Sequence, residues 1–113
     1  MLKPTVHSFR KAENGTHTEY LITTVDQDGH RHSSSQRFSS FLALHEECYA
    51  VLGLKWTFSL SKRPLITDSG RKARVVELDS YLKLCARAAD SSPPVALRAF
   101  LNIGHVCEYF FSE

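Results

Sequence analysis

The sequence predicts an α+β fold, a three-stranded antiparallel β-meander packed against a helical subdomain of three to four helices. Three observations carry this expectation. The first third is rich in β-branched and aromatic residues cut by the turn sequences Asn14-Gly15 and Asp26-Gln27-Asp28-Gly29. After Phe38 the apolar residues recur at a helical period of about 3.6. Gly53 and the run Ser91-Ser92-Pro93-Pro94 then cut the helical part into pieces of ordinary length. With 113 residues, 42% of them hydrophobic, the chain suits one domain over 1–113 with a single core.

Residues 5 to 11 alternate loosely, Asn14-Gly15 is a hairpin turn, and Thr16 to Val25 supply the second strand. After the second turn, His30 to Arg37 is polar and serine-rich, as expected of a third strand at a sheet edge. Phe41, Leu44, His45, Cys48 and Leu52 then fall on one helical face that Gly53 ends, with Ser39 or Ser40 available as the cap. Residues 54 to 66 hold no helical period and contain Pro64, which predicts an extended connection. Thr67-Asp68-Ser69 can cap a second helix, whose stripe is Leu78, Tyr81, Leu82, Cys85, Ala88 and Ala89. Val95 to Ile103 repeats the helical pattern with Leu97, Phe100 and Leu101 inward, and His105 to Phe111 reads as a short last helix.

No window approaches the roughly 18 apolar residues of a membrane span, and the start Met1-Leu2-Lys3-Pro4 lacks a signal-peptide core. A soluble, cytoplasmic protein is expected, one that meets a bilayer only from outside. Three widely spaced cysteines, Cys48, Cys85 and Cys107, argue against a disulfide framework and for a reducing compartment. The net charge is only +2, yet Lys55, Lys62, Arg63, Arg71, Lys72 and Arg74 face Asp68 alone between residues 55 and 74. Such a local excess is the footprint of a polyanionic partner: a phosphorylated lipid, an anionic membrane or a nucleic acid.

The segment Gln36-Arg37-Phe38-Ser39-Ser40-Phe41-Leu42 places an arginine and an aromatic where strand turns into helix. An arginine there stays partly exposed and presents a planar fork of donors to a phosphate, with a flat ring beside it. Arg74 lies four residues before Leu78, one turn up the same face. Its stem is expected to pack while the guanidinium reaches out of the core. Leu65 and Ile66 are apolar residues in a basic loop and candidates for membrane insertion, with Trp56 and Phe58 more suited to packing on the domain. His30-Arg31-His32 and the pair His45/Cys48 lack a second pair at ligand spacing, so no metal is expected. Without an oxyanion loop or a third orienting group, no catalytic site and no cofactor are expected either.

The element order and motifs resemble the phox homology (PX) domain family over nearly the whole chain. The resemblance rests on Arg37-Phe38-Ser39-Ser40-Phe41, similar to the family's Arg-Tyr/Phe-x-x-Phe signature, on Arg74-x-x-x-Leu78-x-x-Tyr81-Leu82, and on Leu97-Arg98-Ala99-Phe100-Leu101. It implies a phosphoinositide-binding module, in most lipid-binding members for phosphatidylinositol 3-phosphate, acting peripherally on endosomal membranes in trafficking. By the same resemblance, Arg37 would grip the 3-phosphate and Phe38 would lie under the inositol ring. Lys62 would meet the phosphate that links the ring to glycerol, and Arg74 would bond the ring's 4- and 5-hydroxyls.

The chain departs from the family in its loop, where Thr57-Phe58-Ser59-Leu60-Ser61-Lys62 replaces the usual proline-rich run and Pro64 follows the lysine. Arg63 is therefore a substitute for Lys62. Phenylalanine stands at 38 where tyrosine is commoner. Two other functions stay open: an interaction module of the same fold that binds proteins and little lipid, and a domain that binds nucleic acid through residues 55 to 74, which is the less expected partner.

Overall fold

A computed structural model describes residues 1–13, 15, 17–58 and 67–103. The architecture is α+β, and its elements run β1 (Lys3–Lys11), β2 (Thr18–Val25), β3 (Arg31–Gln36), α1 (Phe38–Leu52), α2 (Asp68–Ala89) and α3 (Val95–Phe100). The three strands form one antiparallel sheet in the order β1-β2-β3. No helix among the described residues is long and apolar enough to cross a membrane.

The first hairpin is closed by the Ala12 N–H, which donates to the His17 carbonyl at 3.0 Å, and Gly15 inside the loop takes a φ of 71°. In the second turn the Asp26 carboxylate accepts from the backbone N–H groups of Asp28 and His30, each at 2.9 Å. The loose alternation in β1 has a cause in the sheet. The register slips between Val6, which faces Ile22, and Ser8, which faces Leu21, so His7 occupies a β-bulge.

β1 is an edge strand, and its outward backbone groups need partners. α2 lies along it and supplies them. The buried Val6 N–H donates to Asp79 Oδ1 at 2.9 Å, and Lys83 Nζ donates to the Pro4 carbonyl at 3.1 Å and to Asp79 itself. At the opposite edge, Asn102 Nδ2 donates to the Ser33 carbonyl at 3.2 Å and Gln36 Nε2 to the Phe100 carbonyl at 2.9 Å. Both edges are thus tied to the helical part.

Sheet and helices share one apolar core. Val6, Tyr20 and Ile22 from the sheet meet Phe41, Leu44 and Cys48 of α1, Leu78, Tyr81, Leu82 and Cys85 of α2, and Leu97, Phe100 and Leu101. Phe41 is its hub, edge-on to Tyr20 with centroids 6.4 Å apart and to Phe100 at 4.8 Å. Such aromatic pairs add about 0.5–1.5 kcal/mol each beyond their buried area.

Several expectations are corrected in detail. Neither Ser39 nor Ser40 caps α1: Arg37 holds the cap position with extended backbone and no side-chain cap bond, and both serines belong to the first turn. The helix does end at Gly53, whose φ of 65° is the left-handed conformation that lets its N–H reach the last carbonyls. α2 starts as expected, with Thr67 Oγ1 accepting from the Gly70 N–H at 3.2 Å. Ala88 is exposed and Ala86 is buried in its place, since Ala86 lies one turn after Leu82 on the inward face. The expected helix at 105–111 lies outside the described residues.

Candidate functional site

The sheet register determines what meets at one end of the molecule. Lys11 faces Thr18 and Tyr20 faces Gln36, so the tip of the first hairpin and the exit of β3 share that end. Arg37 follows β3 directly. Its side chain is exposed, and among the described residues no acid pairs with it. The extended conformation of Arg37 (φ −82°, ψ 163°) keeps it outside the helix proper, while Phe38, one residue on, turns into the core.

Arg74 comes to the same place from α2. Its Cζ stands 3.8 Å from the centroid of the Phe38 ring. Residues far apart in sequence are thereby stacked, with Arg37 as the chain neighbour of one of them. Burial raises the pKa of the Tyr20 phenol, and the nearby Arg74 guanidinium opposes the rise. Phe58 presses edge-on against Phe38 at 5.7 Å and also contacts Tyr81 at 4.9 Å.

This arrangement corrects the sequence reading of Arg74. Its guanidinium does not reach out of the core: the residue is 3% exposed, and Phe38 is 9% exposed. The ring face and the guanidinium cover each other. A desolvated cation over an aromatic face is worth about 2 kcal/mol or more, which helps offset the cost of burying the charge. Arg71 also differs from expectation. Rather than standing free for a membrane surface, it donates to Thr18 Oγ1 and to Asp68 Oδ1, both at 3.1 Å, and its side chain is only 17% exposed. Of the basic stretch, Lys55 and Lys72 are the exposed cations among the described residues. Lys62, Arg63, Leu65 and Ile66 lie outside the described residues.

Trp56 and Phe58 pack on the domain. Trp56 stands 5.5 Å from Tyr81 and 6.1 Å from Phe58, and Phe58 is 5.8 Å from His45. His45, paired in sequence with Cys48 as a weak metal motif, has its Nδ1 at 3.1 Å from the Tyr81 hydroxyl. Burial raises the pKa of Tyr81, and it pushes the Cys85 thiol up to about 11, which removes the thiolate that nucleophilic chemistry needs. The ligand atoms of Asp26, Asp28 and His30 come within 4.8 Å of one another. Their closeness follows from the turn, in which Asp26 is engaged by two backbone N–H groups and by His32 Nε2 at 2.8 Å.

Two features escaped the sequence reading. Tyr20 looked like an ordinary strand aromatic, and no local pattern links it to Arg74. An open cleft of about 480 Å³ lies beside the first hairpin, lined by Arg10, Lys11, Ala12, Glu13, His17 and Glu19. Across it Arg10 Nε pairs with Glu19 Oε1 at 3.1 Å. In comparisons with known proteins, no family model and no curated protein matches the chain.

Proposed function

We propose that this domain is a PX-like phosphoinositide-binding module that recruits its protein to membranes, with phosphatidylinositol 3-phosphate on endosomes as the preferred ligand. The observation that carries this reading is the convergence on Phe38: an exposed Arg37, which pairs with no acid among the described residues, precedes the ring, and Arg74 covers the ring from another element at 3.8 Å. In this reading Arg37 grips the phosphomonoester through paired charge-assisted bonds, which arginine makes without risk of deprotonation. Arg74 faces the ring hydroxyls, and Lys62 or Arg63 meets the diester phosphate. Leu65 and Ile66 enter the bilayer, and Lys55 and Lys72 add about 1 kcal/mol each on an anionic leaflet.

The test is liposome sedimentation across all phosphoinositides with wild type and Arg37→Ala. Two lost charge-assisted bonds at about 1.5–3 kcal/mol each predict a drop of about a hundredfold or more. Undiminished binding sinks the assignment. A second reading, an interaction module of the same fold that binds little lipid, is favoured by one observation: Phe38 and Arg74 are both buried against each other. Equal sedimentation with headgroup-bearing and headgroup-free liposomes selects that reading.

A further inference from the structure

We infer that the cleft beside the first hairpin is a second headgroup site, one that takes an ethanolamine phosphodiester as carried by phosphatidylethanolamine. This rests on the phosphoinositide reading, which turns the Arg37 end of the molecule towards a bilayer. The sheet register puts the cleft at that same end: Lys11 faces Thr18, two residues before Tyr20, which faces Gln36 next to Arg37. Arg71 in the first turn of α2 donates to Thr18 Oγ1 at 3.1 Å, so the hairpin tip is tied to the start of that helix.

The ligand chemistry follows from the charges that line the cleft. Its volume of about 480 Å³ falls within the roughly 300–1,000 Å³ of small-molecule sites. The lining carries two cations, Arg10 and Lys11, and two carboxylates, Glu13 and Glu19, together with His17 and Ala12. Arg10 Nε and Glu19 Oε1 neutralise each other at 3.1 Å, and Glu19 Oε2 has His17 Nε2 at 3.8 Å. That leaves one charge of each sign. Lys11 and Glu13 are both exposed, and among the described residues neither has an ion-pair partner. They flank Ala12, which is buried and donates its N–H to the His17 carbonyl at 3.0 Å, so the backbone between the two charges is held in place.

A ligand matched to this pair is neutral overall and holds one charge of each sign a short link apart. The phosphoethanolamine headgroup meets that demand. Its phosphodiester brings one negative charge to Lys11, and its ammonium brings one positive charge and three N–H donors to Glu13. A phosphatidylcholine headgroup has the same charges, but its methylated ammonium donates no hydrogen bond and keeps its charge farther from the carboxylate. A headgroup with a net negative charge sets the surplus against Glu13 and Glu19. The cleft thus selects by amine, whereas Arg37 selects by phosphate, and two headgroups engaged at one end of the domain reinforce each other.

Proton–nitrogen correlation spectra recorded as glycerophosphoethanolamine is added test the cleft without a membrane. Saturating shifts of the Lys11, Ala12 and Glu19 amides are expected, with none for glycerophosphocholine. Shifts with both compounds, or with neither, overturn the site and leave the proposed function standing. Sedimentation then compares vesicles of phosphatidylcholine and phosphatidylinositol 3-phosphate with vesicles in which part of the phosphatidylcholine is replaced by phosphatidylethanolamine. Two exposed ion pairs predict a gain in affinity of about three- to tenfold. Glu13→Gln, at an exposed turn residue, is expected to lose this gain and keep wild-type affinity for the first vesicles, which also shows that it folds. A gain that Glu13→Gln retains comes from bilayer packing and overturns the site, as does the absence of any gain in wild type. Failure of wild type to sediment with either vesicle overturns the proposed function and the membrane role of the cleft with it; amide shifts that persist in that case assign the cleft to a soluble ethanolamine phosphodiester.

Discussion

Replacing Asp79 by alanine cuts the tie between α2 and the first strand at its most buried point. The Val6 N–H that Asp79 Oδ1 accepts at 2.9 Å belongs to a residue only 3% exposed, and the alanine side chain offers it no acceptor. A hydrogen bond to a charged group contributes about 1.5–3 kcal/mol, and most of that is felt as an orphaned donor when the acceptor is removed. The Lys83 pair adds little, roughly 0.5 kcal/mol, because the lysine side chain is 42% exposed. The expected loss is about 3 kcal/mol, a large fraction of the total stability of a domain this size. With a urea slope near 1.5 kcal/mol/M, the unfolding midpoint falls by about 2 M at unchanged slope. Asp79→Asn keeps an acceptor oxygen and is expected to lose about 1 kcal/mol. Urea titrations followed by circular dichroism measure both. An alanine variant within 0.5 kcal/mol of wild type, or an asparagine variant as damaged as alanine, refutes the claim that this bond fastens helix to strand.

Further expectations concern the turn, the thiols and a cap. The His32 hydrogen bond holds the Asp26 pKa below its ordinary value, with the His30 and Asp28 N–H groups acting in the same direction. A lowered folded-state pKa contributes stability that is complete above the unfolded value of about 3.9 and lost as pH falls through the folded one. Thermal melts of wild type and Asp26→Asn should therefore converge towards acid, and a gap that widens there contradicts the assignment. Cys48 and Cys85 are 1% and 0% exposed and burial raises both pKa values, so in a Cys107→Ser background thiol reagents should label neither at pH 8 until urea unfolds the chain. Thr67→Ala removes the acceptor for the Gly70 N–H and should cost about 1 kcal/mol in the same urea assay.

Much of the fold was legible because its signals are local. The changeover of period at Phe38, the glycine after Leu52 and the Thr67 cap each act within a few residues, and each stands in the structure within a residue or two of its expected place. The loose alternation of residues 5 to 11 was a correct symptom of the bulge at His7, although its cause lies in the pairing with β2. What the sequence did not disclose is set by tertiary contact. Arg74 sits on the stripe of α2 as expected, but whether its guanidinium faces solvent or a ring depends on where Phe38 arrives from α1. The general preference of arginine for a wet head pointed the wrong way. Arg71 likewise owes its engagement to Thr18 across the hairpin, a partner 53 residues away. The serine cap failed for a similar reason: β3 feeds Arg37 straight into the cap position, so the serines that follow are already helical.

The fastening of β1 by Asp79 and Lys83 also bears on how the chain matures during synthesis. Pro4 and Lys83 are 79 residues apart, so the first strand leaves the ribosome long before the helix that caps its outer edge. At roughly 5–20 residues per second that interval is about 4–16 s, and from the completion of β2 at Val25 to its end the hairpin of β1 and β2 carries an open edge. The nascent chain is exposed over that interval to strand addition by neighbours, and Lys3, Arg10 and Lys11 along the edge strand supply the like-charge repulsion that discourages it.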